Sequence, residues 1–193
     1  MTEDLIKAFR SLAALSQSDA DLITQLFKEK TIKKGAYFLT EGQICKHAGF
    51  IVQGLMRYYI NHEGEDRTYA FASENNFVCN YESFIPKTPS LKNIQALEDC
   101  RILQISYDDL QLFYKQVEQG EYLGRVIIEQ VFIQTLQDLS SFYTDSPEYR
   151  YEKFIRNHPD LQQRISQYHI ASYVGVKPQS LSRIRKRIST SHD

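Results

Sequence analysis

The sequence predicts an α+β protein. An N-terminal antiparallel β-roll, of the double-stranded β-helix or jelly-roll type with flanking helices, is followed by a long helix and a helical C-terminal domain. Three observations carry that expectation. Between Thr31 and Phe84 the chain is rich in β-branched and aromatic residues and is broken at Gly35, Gly42, Gly49, Gly54 and Gly64, the pattern of short strands joined by tight turns. From Tyr107 onward the apolar spacing becomes that of helices. Near the end, HIASYVGVKPQSLSRIRKRI (His169–Ile188) gathers a glycine, a proline and five basic residues into twenty positions. The division that follows is 1–118 for the roll, 119–145 for the long helix and 146–193 for the last domain.

The chain opens on the amphipathic stretch MTEDLIKAFRSL, and a second helix is expected over Ser18–Lys28. Strands are expected at Lys30–Lys33, Tyr37–Leu39, His47–Gln53, Leu55–Asn61, Asp66–Ala72, Asn93–Ala96 and Cys100–Ser106, with PKTPS (Pro86–Ser90) as a loop. Ser106 can cap a helix over YDDLQLFYKQV, whose early acids Asp108 and Asp109 suit the positive end of the helix dipole. A longer helix over Glu121–Phe142 carries two apolar stripes, one of Leu123, Ile127 and Val131 and one of Ile128, Phe132, Leu136, Leu139 and Tyr143. One stripe can cover the roll and the other a second copy of the chain, so Leu123, Ile127, Ile128, Val131, Phe132, Leu136 and Leu139 are the candidate dimer interface. Ser146, Pro147 and Glu148 then restart a helix that stops near Pro159.

The tail reads as two short helices. The first starts after Ser166, a good N-cap, and ends where Gly175 can take the left-handed conformation; Pro178 suits the first turn of the second. Ala171 is small because the second helix crosses above it, which makes a helix-turn-helix. Leu181, Ile184 and Ile188 share the inner face of the second helix, leaving Gln179, Ser180, Ser182, Arg183, Arg185, Lys186 and Arg187 mostly outside. Such a face can lie in the major groove of DNA, where arginine forks onto guanine and glutamine onto adenine. Gln179, Ser182 and Arg183 are the candidate base contacts, and Lys177, Ser180, Arg185, Lys186 and Arg187 the candidate phosphate contacts.

Hydrophobic residues make up 42% and charged residues 24%, an ordinary soluble composition. No apolar run reaches eighteen residues and the N-terminus is no signal peptide, so a cytoplasmic protein with no membrane partner is expected. Cys45, Cys79 and Cys100 show no metal-ligand spacing and read as reduced, structural thiols. The net charge of −1 hides an asymmetry, +5 from Glu148 onward and −6 before it, so the basic end can approach phosphates while the acidic body is repelled.

A segment containing EGEDRTYAFASENNFVCNYESF, then a long helix, then IASYVGVKPQSLSRIRK resembles the Crp/Fnr superfamily of transcription regulators over nearly the whole chain. The resemblance implies a cyclic-nucleotide-binding-like sensor roll and a homodimer on a near-palindromic double-stranded DNA operator, with RNA polymerase as a further partner. It also implies a phosphate cassette built from a Gly-Glu pair and, about ten residues later, an Arg-Ser or Arg-Thr pair. An ungapped match from Phe77 to Ala96 puts Cys79 and Asn80 at the first pair and Ser90 and Leu91 at the second. Both are lost, and without a guanidinium a buried phosphate lacks its forked partner, so neither cAMP nor cGMP is expected to bind. The roll could enclose another small-molecule effector, with Asn80, Tyr81, Ser90 and Lys92 near its mouth, or be a packed scaffold.

No cofactor or metal is expected. The family's iron–sulfur branch needs N-terminal cysteines that residues 1–44 lack, and His47 and His62 sit among turn signals unsuited to haem. Relatives carry a β-wing beside the helix-turn-helix; here it is expected to be reduced or absent.

Two rivals remain. An enzyme is poorly supported, since Glu63, Glu65 and Asp66 cluster at a hairpin tip where acids are usually just solvated, and no nucleophile sits in a strand-turn-helix setting. The stronger rival is a small-molecule-binding or protein-docking module whose basic C-terminal helices contact a protein.

Overall fold

The computed structural model describes residues 2–190 and divides into two compact units, Met1–Tyr58 with Phe71–Val131, and Tyr59–Ala70 with Phe132–Asp193. Helices α1 (Thr2–Arg10) and α2 (Gln17–Leu26) come first. A capping box starts α2: the Ser16 hydroxyl accepts the Asp19 N–H while the Asp19 side chain accepts the Ser16 N–H.

Eight strands follow, β1 (Lys28–Ile32), β2 (Tyr37–Leu39), β3 (His47–Gln53), β4 (Met56–His62), β5 (Glu65–Ala72), β6 (Phe77–Val78), β7 (Asn93–Ala96) and β8 (Cys100–Ser106), with the short helix α3 (Tyr81–Phe84) between β6 and β7. They form two four-stranded sheets, ordered β1-β8-β3-β6 and β2-β7-β4-β5. The β3–β8 pair is antiparallel, aligning His47 with Ser106 and Ile51 with Ile102 before a bulge ahead of Gln53. All eight strands send side chains into one buried cluster, among them Ile32, Leu39, Phe50, Met56, Ala72, Val78, Ile94 and Ile102. Phe9 of α1 stacks on Phe77 at 5.9 Å, closing the cluster on one side.

The helical part begins with α4 (Tyr107–Gln116), capped by Ser106, and the 25-residue α5 (Gly120–Thr144). It continues with α6 (Pro147–Asn157), capped by Ser146, a 3-10 turn at Pro159–Leu161, α7 (Gln167–Val174) and α8 (Pro178–Thr190). In the second unit Tyr151, Phe154, Leu161, Ile165, Ile170, Val174, Leu181 and Ile184 are buried together with Ala171. No strand follows β8 among the described residues.

The two stripes of α5 need a correction. Leu123 is wholly buried and Ile127 packs against the same cluster, so both are spent on the roll; Leu123 has no surface left for a partner. Ile128 is half-buried. From Val131 the helix turns apolar side chains to solvent: Val131, Phe132, Leu136 and Leu139 remain 46–61% exposed.

Candidate nucleic-acid interface

Each end of the helix-turn-helix is fixed by local chemistry. The Ser166 hydroxyl accepts the His169 N–H, starting α7. Gly175 closes it at φ 81° and ψ 34°, its N–H reaching the Ala171 and Ser172 carbonyls while the Val176 N–H reaches Ala171 O at 2.9 Å. That is the hydrogen-bonding of a Schellman ending, open to glycine because it has no Cβ to clash in this region. Pro178 then takes the first position of α8, where a missing N–H costs nothing.

Burial divides α8 as helical spacing requires. Leu181 and Ile184 are 1% and 5% exposed, whereas Gln179, Ser180, Ser182, Arg183, Arg185, Lys186 and Arg187 are all exposed, as is Lys177 just before the helix. Arg183, Lys186 and Arg187 share a cavity of about 740 Å³ with Ser146 and Glu148 at the start of α6. Two of the basic residues already hold acids: Arg187 Nε lies 3.4 Å from Glu148 and Lys177 Nζ 2.6 Å from Glu65. Among the described residues Arg183 and Arg185 have no ion pair, so their guanidiniums stand open to an incoming anion.

Arg150 of α6 was not singled out by the sequence, yet it organises this unit. Its Nε donates to Val174 O at 2.9 Å and its Nη1 to Asp145 O at 2.6 Å and Phe142 O at 3.2 Å, with the guanidinium 5.2 Å from the Phe142 ring centre. One side chain thus joins the ends of α5 and α7. No spacing rule marks such a residue, because its partners are backbone carbonyls, one of them 24 residues away.

The acids of the β4–β5 tip are largely solvated as expected, Glu63 and Glu65 being exposed, but Glu65 also pairs with Lys177, and the backbone carbonyl of Asp66 accepts the Ser172 hydroxyl at 2.9 Å. Lys177 beside Glu65 holds its carboxyl below the usual range.

At the cassette positions the structure brings Asn80 and Ser90 together. Asn80 Nδ2 donates to Ser90 Oγ at 2.7 Å, and the Ser90 hydroxyl in turn serves both the N–H and the carbonyl of Lys92. Asn80 and Ser90 are buried, at 6% and 2% exposed, while Leu91 points out, 75% exposed. Lys92 Nζ lies 2.6 Å from Glu82, and burial together with the Tyr114 hydroxyl pushes the Tyr81 phenol up. Cys45 and Cys79, far apart in sequence, meet here; the Cys79 thiol hydrogen-bonds Cys45 and lowers its pKa. His47 opens β3 and is half-buried, which lowers its pKa. Among the described residues no group of His, Cys, Asp and Glu suits a metal ion, and no helix is long and apolar enough to cross a membrane.

Residues 29–117 match the family described as the cyclic nucleotide-binding domain. Comparison with curated proteins finds no match. Among solved structures, FixK2 from Bradyrhizobium japonicum is similar at 13% identity and a TM-score of 0.74, covering 86% of each chain. A cyclic nucleotide-binding domain containing protein from Listeria monocytogenes is similar at 15% identity and a TM-score of 0.72, over 97% of this chain and 91% of that one. A regulator assigned to the Crp/Fnr family from Eubacterium rectale is similar at 16% identity and a TM-score of 0.69, over 92% and 85%.

Proposed function

We propose that this chain, a cyclic nucleotide-binding-domain protein with the fold of the Crp/Fnr transcription regulators, is itself a homodimeric, sequence-specific DNA-binding regulator rather than an enzyme, working in the cytoplasm. In this reading residues 1–118 are the sensor, 119–145 the dimerisation helix and 146–193 the DNA-binding domain. The observation that carries it is the polarity of α8: its apolar side is sealed into the small domain, and every basic side chain from Arg183 to Arg187 is exposed. A solvated helix face can also be charged, but Arg183 and Arg185 on this one carry guanidiniums that hold no acid and can meet phosphates or bases.

The second half of α5 supports the dimer. Val131, Phe132, Leu136 and Leu139 expose an apolar band that a second copy would cover, placing two readers about one helical turn of DNA apart. Ile128 borders the band. The effector is not cAMP or cGMP in this reading, since Asn80 and Ser90 stand where the resemblance expects the cassette's Glu and Arg, and neither supplies a guanidinium.

Selection of bound DNA from a random pool tests the reading. An enriched inverted repeat is expected, with affinity falling steeply as salt rises. Arg183→Ala should relax preference at one base pair at a cost of about 1–3 kcal/mol, whereas Lys186→Ala should weaken all duplexes alike. A pool that yields no enriched sequence, or binding indifferent to salt, would favour a protein partner instead.

A further inference from the structure

The β4–β5 connection is a two-residue turn, Glu63 and Gly64, with φ values of 55° and 81°. Two positive φ values match the right-handed twist of the strands and make a tight hairpin. Its tip, Tyr59–Ala70, belongs to the same compact unit as the helix-turn-helix. β5 is the edge strand of its sheet, so its outward backbone groups have no neighbouring strand. Ser172 of α7 takes two of them: its hydroxyl oxygen accepts the Thr68 N–H at 2.9 Å and its proton goes to Asp66 O at 2.9 Å. A serine side chain thereby completes the edge. Five residues further on, Lys177 Nζ meets Glu65 Oε1 at 2.6 Å.

We propose that the hairpin tip is a latch on the DNA reader, in which Glu65 holds Lys177 against the pull of a DNA phosphate and Ser172 anchors the tip in place. This inference rests on the DNA-binding reading above. An ammonium is a compact charge that serves one anion well at a time, so the carboxylate and the phosphate compete for it. The tip also carries Glu63 and Glu65 on its own surface, and carboxylates beside the turn before α8 repel an approaching backbone. Both partners of the ion pair are mostly exposed, 71% for Lys177 and 59% for Glu65, which makes the pair weak enough for DNA to displace. The Ser172 bonds are better sheltered, and Thr68 is buried at 4% exposed, so the anchor outlasts the latch.

The test measures binding of full-length wild type, Glu65→Gln, Lys177→Ala and the double variant to the selected operator and to an unrelated duplex, at low and at moderate salt. Glu65→Gln is exposed and should fold normally. It should bind both duplexes about two- to fivefold more tightly at low salt, with the gain shrinking as salt rises. In the Lys177→Ala background the same substitution should gain clearly less, since the competed group is gone. Equal or weaker binding by Glu65→Gln, or the full gain persisting without Lys177, overturns the latch while leaving the DNA reading intact. A wild-type protein that binds neither duplex overturns both.

Discussion

Replacing Arg150 by methionine keeps most of the side chain's apolar length and removes all three of its hydrogen bonds. The bonds to Val174 O and Asp145 O are part-buried, at 2.9 and 2.6 Å, and the bond to Phe142 O is exposed at 3.2 Å. A hydrogen bond to a charged group contributes about 1.5–3 kcal/mol when sheltered and little when solvated. Taking the lower figure for the two part-buried bonds gives a loss of about 3 kcal/mol, or roughly a hundredfold in the opening equilibrium. The loss should be local, because the partners lie at the ends of α5 and α7. Native-state hydrogen exchange resolves this: amides of α7 should lose about a hundredfold of protection, while the sheet amides of β3 and β8 should keep theirs. Arg150→Lys retains the charge without the planar fork and should fall between. Unchanged protection in α7, or a uniform loss reaching β3 and β8, would refute the assignment of Arg150 as the tie between these helix ends.

Leu136 is 46% exposed, so covering it in a symmetric dimer is worth about 1 kcal/mol per copy; Leu136→Arg should weaken dimerisation at least thirtyfold by sedimentation, and an unchanged dimer would remove α5 as the interface. Isothermal calorimetry with cAMP and cGMP should show no binding in the micromolar range, and micromolar binding would mean that Asn80 and Ser90 yield to a phosphate. Asp19 is held below the usual carboxyl range chiefly by the Ser16 hydroxyl at 2.7 Å, with help from the Glu118 N–H. The folded protein therefore binds that proton more weakly than the unfolded chain, and the stabilisation is complete above about pH 4 and drains away as pH falls through the lower folded value. Asp19→Asn should melt below wild type at pH 7, with the gap closing toward pH 2.5; a constant gap would show that the carboxylate's charge is not what matters.

The parts of this molecule visible in the sequence are those whose cause is local. Ser106, Ser146 and Ser166 cap helices because a hydroxyl one residue before the first turn meets an orphan N–H whatever the rest of the chain does. Gly175 ends α7 for a similarly local reason, and the α8 faces follow from 3.6-residue periodicity. What stayed hidden is long-range. The two-residue strand β6 exists only because Gly49 and Phe50 lie opposite it, and no periodicity can be read from two residues. Periodicity shows two apolar stripes on α5 but not where the roll stops covering them, so it cannot separate the buried Leu123 from the exposed Val131 and Phe132. The meeting of Cys45 with Cys79, like that of Ser172 with the β5 edge, joins segments whose separation carries no signal.

Substitution at the cassette and occupation of Lys177 together bear on how such a chain could be controlled. Asn80 donates to Ser90, and the Ser90 hydroxyl is taken up by the Lys92 backbone, so these two neutral side chains offer an anion no charged partner. A signal read there would have to be neutral, or to displace hydrogen bonds that are already made. The β4–β5 hairpin needs neither. Its tip lies in the same compact unit as Ser172 and Lys177, so in the proposed latch a change at Glu65 acts on the Lys177 ammonium directly. In the proposed latch the duplex is itself a competing ligand, its phosphates drawing Lys177 away from Glu65.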